Sequence, residues 1–278
     1  MIAANRIRWA GIFSNELSMP DLITDCAFDS DNSEVATYLN RESVSSESYD
    51  GRNKRVIRMK YTESFAPKFT FIKKGFGDFS PIEVRAILKY LTSIETTGML
   101  EVYKDDSNVI EWCAAGNFSE IQLYKIANSR VVGVTATFDS VHPFALSDLY
   151  TVTKTITSTD NKITINIDTD DNKPVYPRVT IKQNGVAGDV KIVNQHYDFF
   201  NKASTPVVMT VKNNTATEEI VVDGANKVVR STNTKRIFGD DFVNWTWLPL
   251  YDGKNELTVE GNCTVTFEFR EVRKVGEY

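Results

Sequence analysis

The run Trp245–Arg270, WTWLPLYDGKNELTVEGNCTVTFEFR, constrains the fold most. Two tryptophans and a Leu-Pro step lead into Tyr-Asp-Gly-Lys-Asn. Apolar and polar residues then alternate at Glu256–Val259 and Thr264–Phe269. A period of two buries one face of a strand and wets the other, so a turn of this kind with two such strands predicts a late hairpin in a β-sandwich. The same pattern recurs upstream at Tyr150–Ile156, Ile163–Ile167, Arg178–Gln183, Val190–Val193, Val207–Val211, Glu219–Val222 and Lys227–Arg230. Asn184-Gly185, Asn213-Asn214 and Asp223-Gly224-Ala225-Asn226 punctuate it. Short strands with these turns predict a sandwich.

The first half is also mainly β. Lys54–Tyr61 and Lys68–Lys73 alternate as half-buried strands. Further strands are expected at Leu100–Tyr103, Val109–Ala114, Ser119–Ile126 and Val131–Phe138. The polar stretch Asp29–Ser48 is expected as a long loop or extended arm, and Asp50-Gly51 as a turn. One helix is predicted over 80–93. Ser80-Pro81-Ile82-Glu83 is a capping box with proline at the first helical position. Val84, Ile87, Leu88 and Leu91 follow at helical spacing and form one apolar face. His142-Pro143-Phe144-Ala145-Leu146-Ser147-Asp148 breaks the pattern and divides the chain into domains 1–147 and 148–278.

Composition narrows the function. The chain has 278 residues and a net charge of −5. Met1–Ser147 carries 16 basic and 19 acidic residues, and Asp148–Tyr278 carries 16 and 18. Neither half is the basic module that grips nucleic acid. Cys26, Cys113 and Cys263 are odd in number and widely spaced, so they predict buried thiols and neither a disulfide framework nor a zinc site. Arg6 and Arg8 interrupt the apolar residues at the start, unlike a signal peptide. No segment reaches the roughly 20 apolar residues of a membrane span, so no membrane insertion is expected.

Catalytic signatures are missing from the sequence. His142 and His196 have neither metal-ligand spacing nor a nearby nucleophile elbow, and there is no phosphate-binding or dinucleotide-binding glycine motif. No enzyme activity and no cofactor are expected. Asp168-Thr169-Asp170-Asp171-Asn172 spaces its oxygens like the start of a calcium loop. Lys173 stands where that loop needs glycine and Val179 where it needs a bidentate glutamate, so a polar turn is the reading. Trp245, Trp247 and Tyr251 are the candidates for ligand contact, because aromatic faces pack on sugar rings. On a strand Trp245 and Trp247 would share a face. That face is either core or an exposed carbohydrate platform, and the sequence leaves both open.

Three passages resemble the distal tail proteins (Dit) of siphovirus-type bacteriophages. The first is Tyr49-Asp50-Gly51-Arg52 with paired strands Lys54–Tyr61 and Lys68–Lys73, then the capped helix. The second is Phe118–Ser147, a last strand running into Pro143-Phe144-Ala145. The third joins Tyr176–Ile181, Glu219–Asp223 and the Trp245–Arg270 run. The family's usual Leu-x-Pro-Gly-x-Asn turn is longer here, Leu248–Asn255. The resemblance implies a mainly β protein. Its N-terminal domain would be β-sandwich-like with one packed helix, and its C-terminal domain a galectin-like, carbohydrate-binding-module-like β-sandwich. It further implies a structural homo-hexamer, a ring at the virion tail tip made in the bacterial host cytoplasm. The implied partners are the tail tube protein, tail-tip and receptor-binding baseplate proteins, DNA passing through the channel and host cell-wall glycan.

Overall fold

The computed structural model describes residues 6–14, 17, 22–27, 42–48, 55–62, 65–73, 77–103, 108–126, 130–171, 173–195, 197–198, 203–204 and 206–273. The Asp50-Gly51 turn, most of the Asp29–Ser48 stretch, His196 and the side chain of Cys26 lie outside the described residues. The chain forms two compact units, Met1–Asp148 with Val272–Tyr278, and Leu149–Glu271.

The first unit holds strands β1 (Arg6–Trp9), β2 (Ile12–Phe13), β3 (Leu22–Ala27), β4 (Glu42–Ser48), β5 (Arg55–Thr62), β6 (Lys68–Lys73), β7 (Gly98–Tyr103), β8 (Ile110–Ile126), β9 (Arg130–Ser140) and β10 (Ala145–Leu146). Helix α1 (Pro81–Leu91) lies between β6 and β7 in the chain. An antiparallel sheet runs in the order β2-β1-β7-β8-β9-β6-β3. β1 and β3 approach one another, so the sheet curls around its buried face. Alternation along the strands puts Ile7 and Trp9, Phe69 and Phe71, Leu100 and Val102, and Val134, Ala136 and Phe138 on that face. Trp9 meets Phe118 and Phe138 edge-on at 5.2 and 5.9 Å. This geometry matches ring edge to ring face and adds to the area buried.

Three sequence expectations change here. β8 is one strand of 17 residues, where two were expected. Gly116 is the continuity point, paired with Gly98 of β7 on one side and Ser140 of β9 on the other. Secondly, Glu42–Ser48 is a strand although its sequence is polar, and it pairs with β5 in a separate two-stranded sheet. β6 pairs instead with β3 and β9, so Lys54–Tyr61 and Lys68–Lys73 are not partners of each other. Backbone hydrogen bonds need no apolar side chain, so hydropathy alone missed β4. Thirdly, the helix buries Ile87, Tyr90 and Leu91, while Leu88 is only half-buried. Tyr90 takes the inner position because its hydroxyl donates to Ile12 O at 3.1 Å, which satisfies the one polar atom it carries inward.

The capping box forms as expected. Glu83 N donates to Ser80 Oγ at 3.3 Å, and Ser80 N donates to Glu83 Oε2 at 2.7 Å. The Lys73 ammonium and then the Ser80 backbone hold the Glu83 carboxyl down at about 2.

The second unit contains β11 (Tyr150–Thr155), β12 (Lys162–Ile167), β13 (Arg178–Gln183), β14 (Gly188–Asn194), β15 (Tyr197–Asp198), β16 (Ala203–Ser204), β17 (Val207–Asn214), β18 (Glu219–Asp223), β19 (Val228–Ser231), β20 (Gly253–Glu260) and β21 (Cys263–Phe269). Two antiparallel sheets, β11-β21-β13-β18-β19 and β12-β20-β14-β17, enclose one core. Val179, Ile181, Val265 and Phe267 face Ile165, Ile192, Val211 and Val259 across it. The expected late hairpin is corrected by this topology. β20 and β21 are consecutive but lie in different sheets. Gly261, at φ 134°, turns the chain from one sheet to the other, a backbone state that L side chains rarely adopt. Asp252-Gly253 opens β20 and is not a hairpin turn.

After Glu271 the chain returns to the first unit. β22 (Val272–Arg273) pairs with β10, Ala145 against Arg273 and Leu146 against Val272. The second unit is thus an insertion between two short paired strands, whereas the sequence reading assigned everything after 147 to the second domain.

Candidate functional site

The tryptophan run sits in the long connection between β19 and β20. Gly239–Asp241 forms a single 3-10 turn, and Val243–Trp245 a second. Phe242 between them is fully buried and bridges to Val211 of β17. Asn244 and Trp245 have φ of 55° and 47°. The left-handed region is uncommon for non-glycine residues and costly for a bulky one. Trp245 is held there 51% exposed.

The segment is not a strand, so spacing of two does not govern its side chains. Even so, the rings of Trp245 and Trp247 come together at 6.5 Å with 47° between their planes. Phe242 supports both, at 5.5 Å from Trp245 and 5.2 Å from Trp247. Trp247 packs on the sandwich core, while Trp245 stands outward. One ring of the pair is thus half-buried against the core and the other is exposed.

Tyr251 is placed by a different device. Its N–H donates to Asn255 Oδ1 at 2.9 Å, and Asn255 Nδ2 donates back to Tyr251 O at 2.7 Å. Asn194, fully buried, donates to the same Asn255 Oδ1 at 3.0 Å and to Pro249 O at 2.9 Å. The asparagine pair replaces the hydrogen bonds that the buried backbone would otherwise lack. This is how the longer Leu248–Asn255 turn closes.

The structure adds two residues that sequence reading did not single out. Lys227 Nζ lies 3.6 Å from the Tyr176 ring centroid and 5.3 Å from that of Trp247. Burial pushes the Lys227 ammonium below its ordinary value. The turn before it brings these parts together. Asp223 Oδ1 accepts from Asn226 N at 2.9 Å, and Gly224 N donates to Pro177 O at 3.1 Å. A β-carbon on Gly224 would fall 2.8 Å from that carbonyl, so the close approach requires glycine. The turn residues were visible in the sequence. Their docking on Tyr176-Pro177, far along the chain, was not.

Asp168–Asp171 is a bend braced from outside. Asp168 N donates to Glu271 Oε1 at 2.9 Å and Thr169 N to Asp252 Oδ1 at 3.2 Å. Among the described residues no group of His, Cys, Asp and Glu is arranged to hold a metal ion. Cys113 and Cys263 are buried and in no disulfide, and burial raises the Cys263 thiol to about 11.

Compared by sequence with curated proteins, the chain matches none. Two family descriptions do match, "Phage tail protein N-terminal domain" over residues 13–140 and "Phage tail C-terminal domain" over residues 144–269. Among solved structures, the fold is similar to the Dit (gp 19.1) protein of phage SPP1, described as a paradigm of the hub adsorption apparatus in phages infecting Gram-positive hosts. That similarity has a TM-score of 0.63 at 12% identity and covers 95% of this chain and 98% of that one. A chain of the phage P2 baseplate is less similar, with a TM-score of 0.44 at 8% identity over 90% and 91% of the two chains. With both of its halves matched, the chain belongs to the phage tail protein family that these two domains define.

Proposed function

We propose that this chain is a structural distal tail protein, the baseplate hub of a long-tailed phage, and not an enzyme. In this reading six copies form a ring at the virion tail tip. The ring joins the tail tube to the tail-tip and receptor-binding proteins and lets DNA pass without reading its sequence. The first unit builds the ring, and the second unit is a galectin-like sandwich. The observation that carries the reading is the likeness to a Dit fold across nearly the whole of both chains, in a chain whose two halves are both phage tail domains. Two physical features support it. The net charge of −5 suits a channel that must release DNA. Among the described residues β4–β5 pairs with no third strand, and a lone hairpin is marginal until something covers it.

Negative-stain electron microscopy of the purified protein tests this reading. Six-lobed rings with an open centre are the expected result. Single particles of one chain at every concentration would remove the hub assignment.

A second reading concerns the second unit, resting on Trp245, half exposed on a strained backbone beside Trp247, whose ring Lys227 approaches. That arrangement suits stacking on a cell-wall sugar. Trp245→Ala is expected to weaken retention on host cell-wall polysaccharide by about tenfold, equivalent to about 1.4 kcal/mol, with an unchanged circular dichroism spectrum. Equal retention of the variant and the parent protein would dismiss the platform.

A further inference from the structure

The outer end of the β8–β9 hairpin is exposed on both of its faces. Every residue from Gln122 to Ile126 is exposed. Three of them are large and apolar, Leu123 at 37%, Tyr124 at 50% and Ile126 at 46%. A ribbon with apolar side chains on both faces has no core of its own to bury them in. Among the described residues no strand pairs with the far edge of β8 beyond Asn117. An unpaired, proline-free edge is a site for association.

The two faces differ in shape and charge. Leu123 pairs with Val134, whose side chain is in the core, so Leu123 lies on the inner face. There it lines an open groove of about 590 Å³ against helix α1, with Val84, Arg85, Leu88, Lys125 and Val131. Arg130 pairs with Asp78 in the same groove at 2.9 Å, which leaves Arg85 and Lys125 as its net charge. The outer face carries two carboxylates, Glu120 and Asp139, against one cation, Lys68, which pairs with Thr137, so its net charge is negative by one. Tyr124 pairs with Gly133 and Gln122 with Thr135, placing them in one row with Ser119 and Thr137, and because Gly133 and Thr135 are buried the exposed side chains at this end of the row are those of β8. Asp139 accepts from Ser119 Oγ, and Glu120 accepts from Thr137 Oγ1 at 3.4 Å, so both carboxylates belong to this side. The bulge that sends Glu120 there has φ of 46° and shifts the register between Ser119 and Gln122. By alternation from Tyr124, Ile126 lies on the outer side together with its partner Arg130, whose long side chain reaches Asp78 in the groove.

One short ribbon therefore carries a basic apolar groove on one side and an acidic apolar surface on the other. A closed ring needs two different patches that meet head to tail. We infer that the acidic outer face of the β8–β9 tip in one copy seats in the α1/β8–β9 groove of the next copy. Tyr124 and Ile126 would meet Leu88, Leu123 and Val131, and Glu120 and Asp139 would approach Arg85 and Lys125. The occupant is a second copy of this chain because the groove's Arg85 and Lys125 and the carboxylates Glu120 and Asp139 that complement them are on the same molecule. The inference rests on the ring reading above and names the surface that closes it.

Two variants of the full-length protein test it by light scattering after size exclusion. The first reverses the groove charge, Arg85→Glu with Lys125→Glu. The second spoils the outer face, Tyr124→Asp with Ile126→Asp. All four positions are exposed, and both variants are expected to keep the parent's unfolding midpoint. Each alone is expected at the mass of one chain. Mixed, they retain one intact pair of patches, and the remaining pair sets acid against acid. The mixture is therefore expected at the mass of two chains and no more. If the parent forms rings and both variants do too, the surface is wrong while the hub reading stands. Folded variants that stay single when mixed overturn the head-to-tail pairing. A parent protein that is single at every concentration overturns the ring and this surface together.

Discussion

Arg236→Ala is expected to destabilise the protein by about 3–5 kcal/mol, the cost of leaving a buried partner charge unpaired. Arg236 and Glu218 have side chains 4% and 0% exposed. The guanidinium lies 2.9 Å from both carboxylate oxygens and also donates to Lys212 O and Asn213 O. Ser231 Oγ and Thr215 N complete the carboxylate's shell at 2.5 and 2.8 Å. Burial alone would raise the Glu218 carboxyl, but the hydrogen bonds from Ser231 and Thr215 and the Arg236 guanidinium outweigh it and hold it below its ordinary value. A carboxyl depressed on folding adds stability above its unfolded value, near 4.3, and loses that contribution as pH falls through the folded value. Without Arg236 the carboxyl protonates at higher pH. The gap between variant and parent is thus expected to be widest near neutrality and to narrow in acid. Urea unfolding at pH 7 and pH 4 measures both, and a gap independent of pH would show that the pair's charge is not what matters. The same arginine fastens the connection that carries the tryptophans to β17, so Trp245 fluorescence should shift in the variant.

Gly116→Ala is the second large effect, about 1–3 kcal/mol or more, from forcing a methyl into filled space. A β-carbon there would fall 2.2 Å from Asp139 O and 2.6 Å from the Phe138 ring. The carbonyl belongs to β9, which is paired with β8 at this point, so it has no room to retreat. Gly98, directly opposite on β7, has Trp9 and Ile94 atoms 2.5 Å from the same position. The two glycines together make the floor on which Trp9 and Phe138 lie. Gly133→Ala is the control, because its β-carbon would meet nothing nearer than 3.5 Å. Thermal unfolding should lower the midpoint of Gly116→Ala by several degrees and leave Gly133→Ala near the parent. Equal shifts would show that packing at Gly116 is looser than the distances imply.

Local signals were enough for much of this protein. Ser80-Pro81-Ile82-Glu83 set the helix start because a capping box is made within four residues. Alternation marked β13 as Arg178–Gln183 and β21 to within one residue, because a period of two is a property of the strand itself. The order of motifs along the chain carried the likeness to the phage tail proteins. What alternation does not carry is the identity of a strand's neighbour. β20 and β21 read as one hairpin, yet a left-handed glycine at 261 sends them to opposite sheets. β4 was hidden because its pairing is made by backbone, and β22 because two residues carry no period. The aromatic site shows the same division. Trp245, Trp247 and Tyr251 could be named from composition, but Lys227 and Tyr176, 51 positions apart in the numbering, meet at 3.6 Å only because Gly224 lets one turn close on Pro177. Glu218 and Arg236 likewise became a buried pair only in the folded sandwich, where removal from water makes each depend on the other. Sequence determined the elements, since they depend on contacts a few residues apart. Tertiary structure decided the partners, since desolvation and close approach act between residues that only the fold brings together.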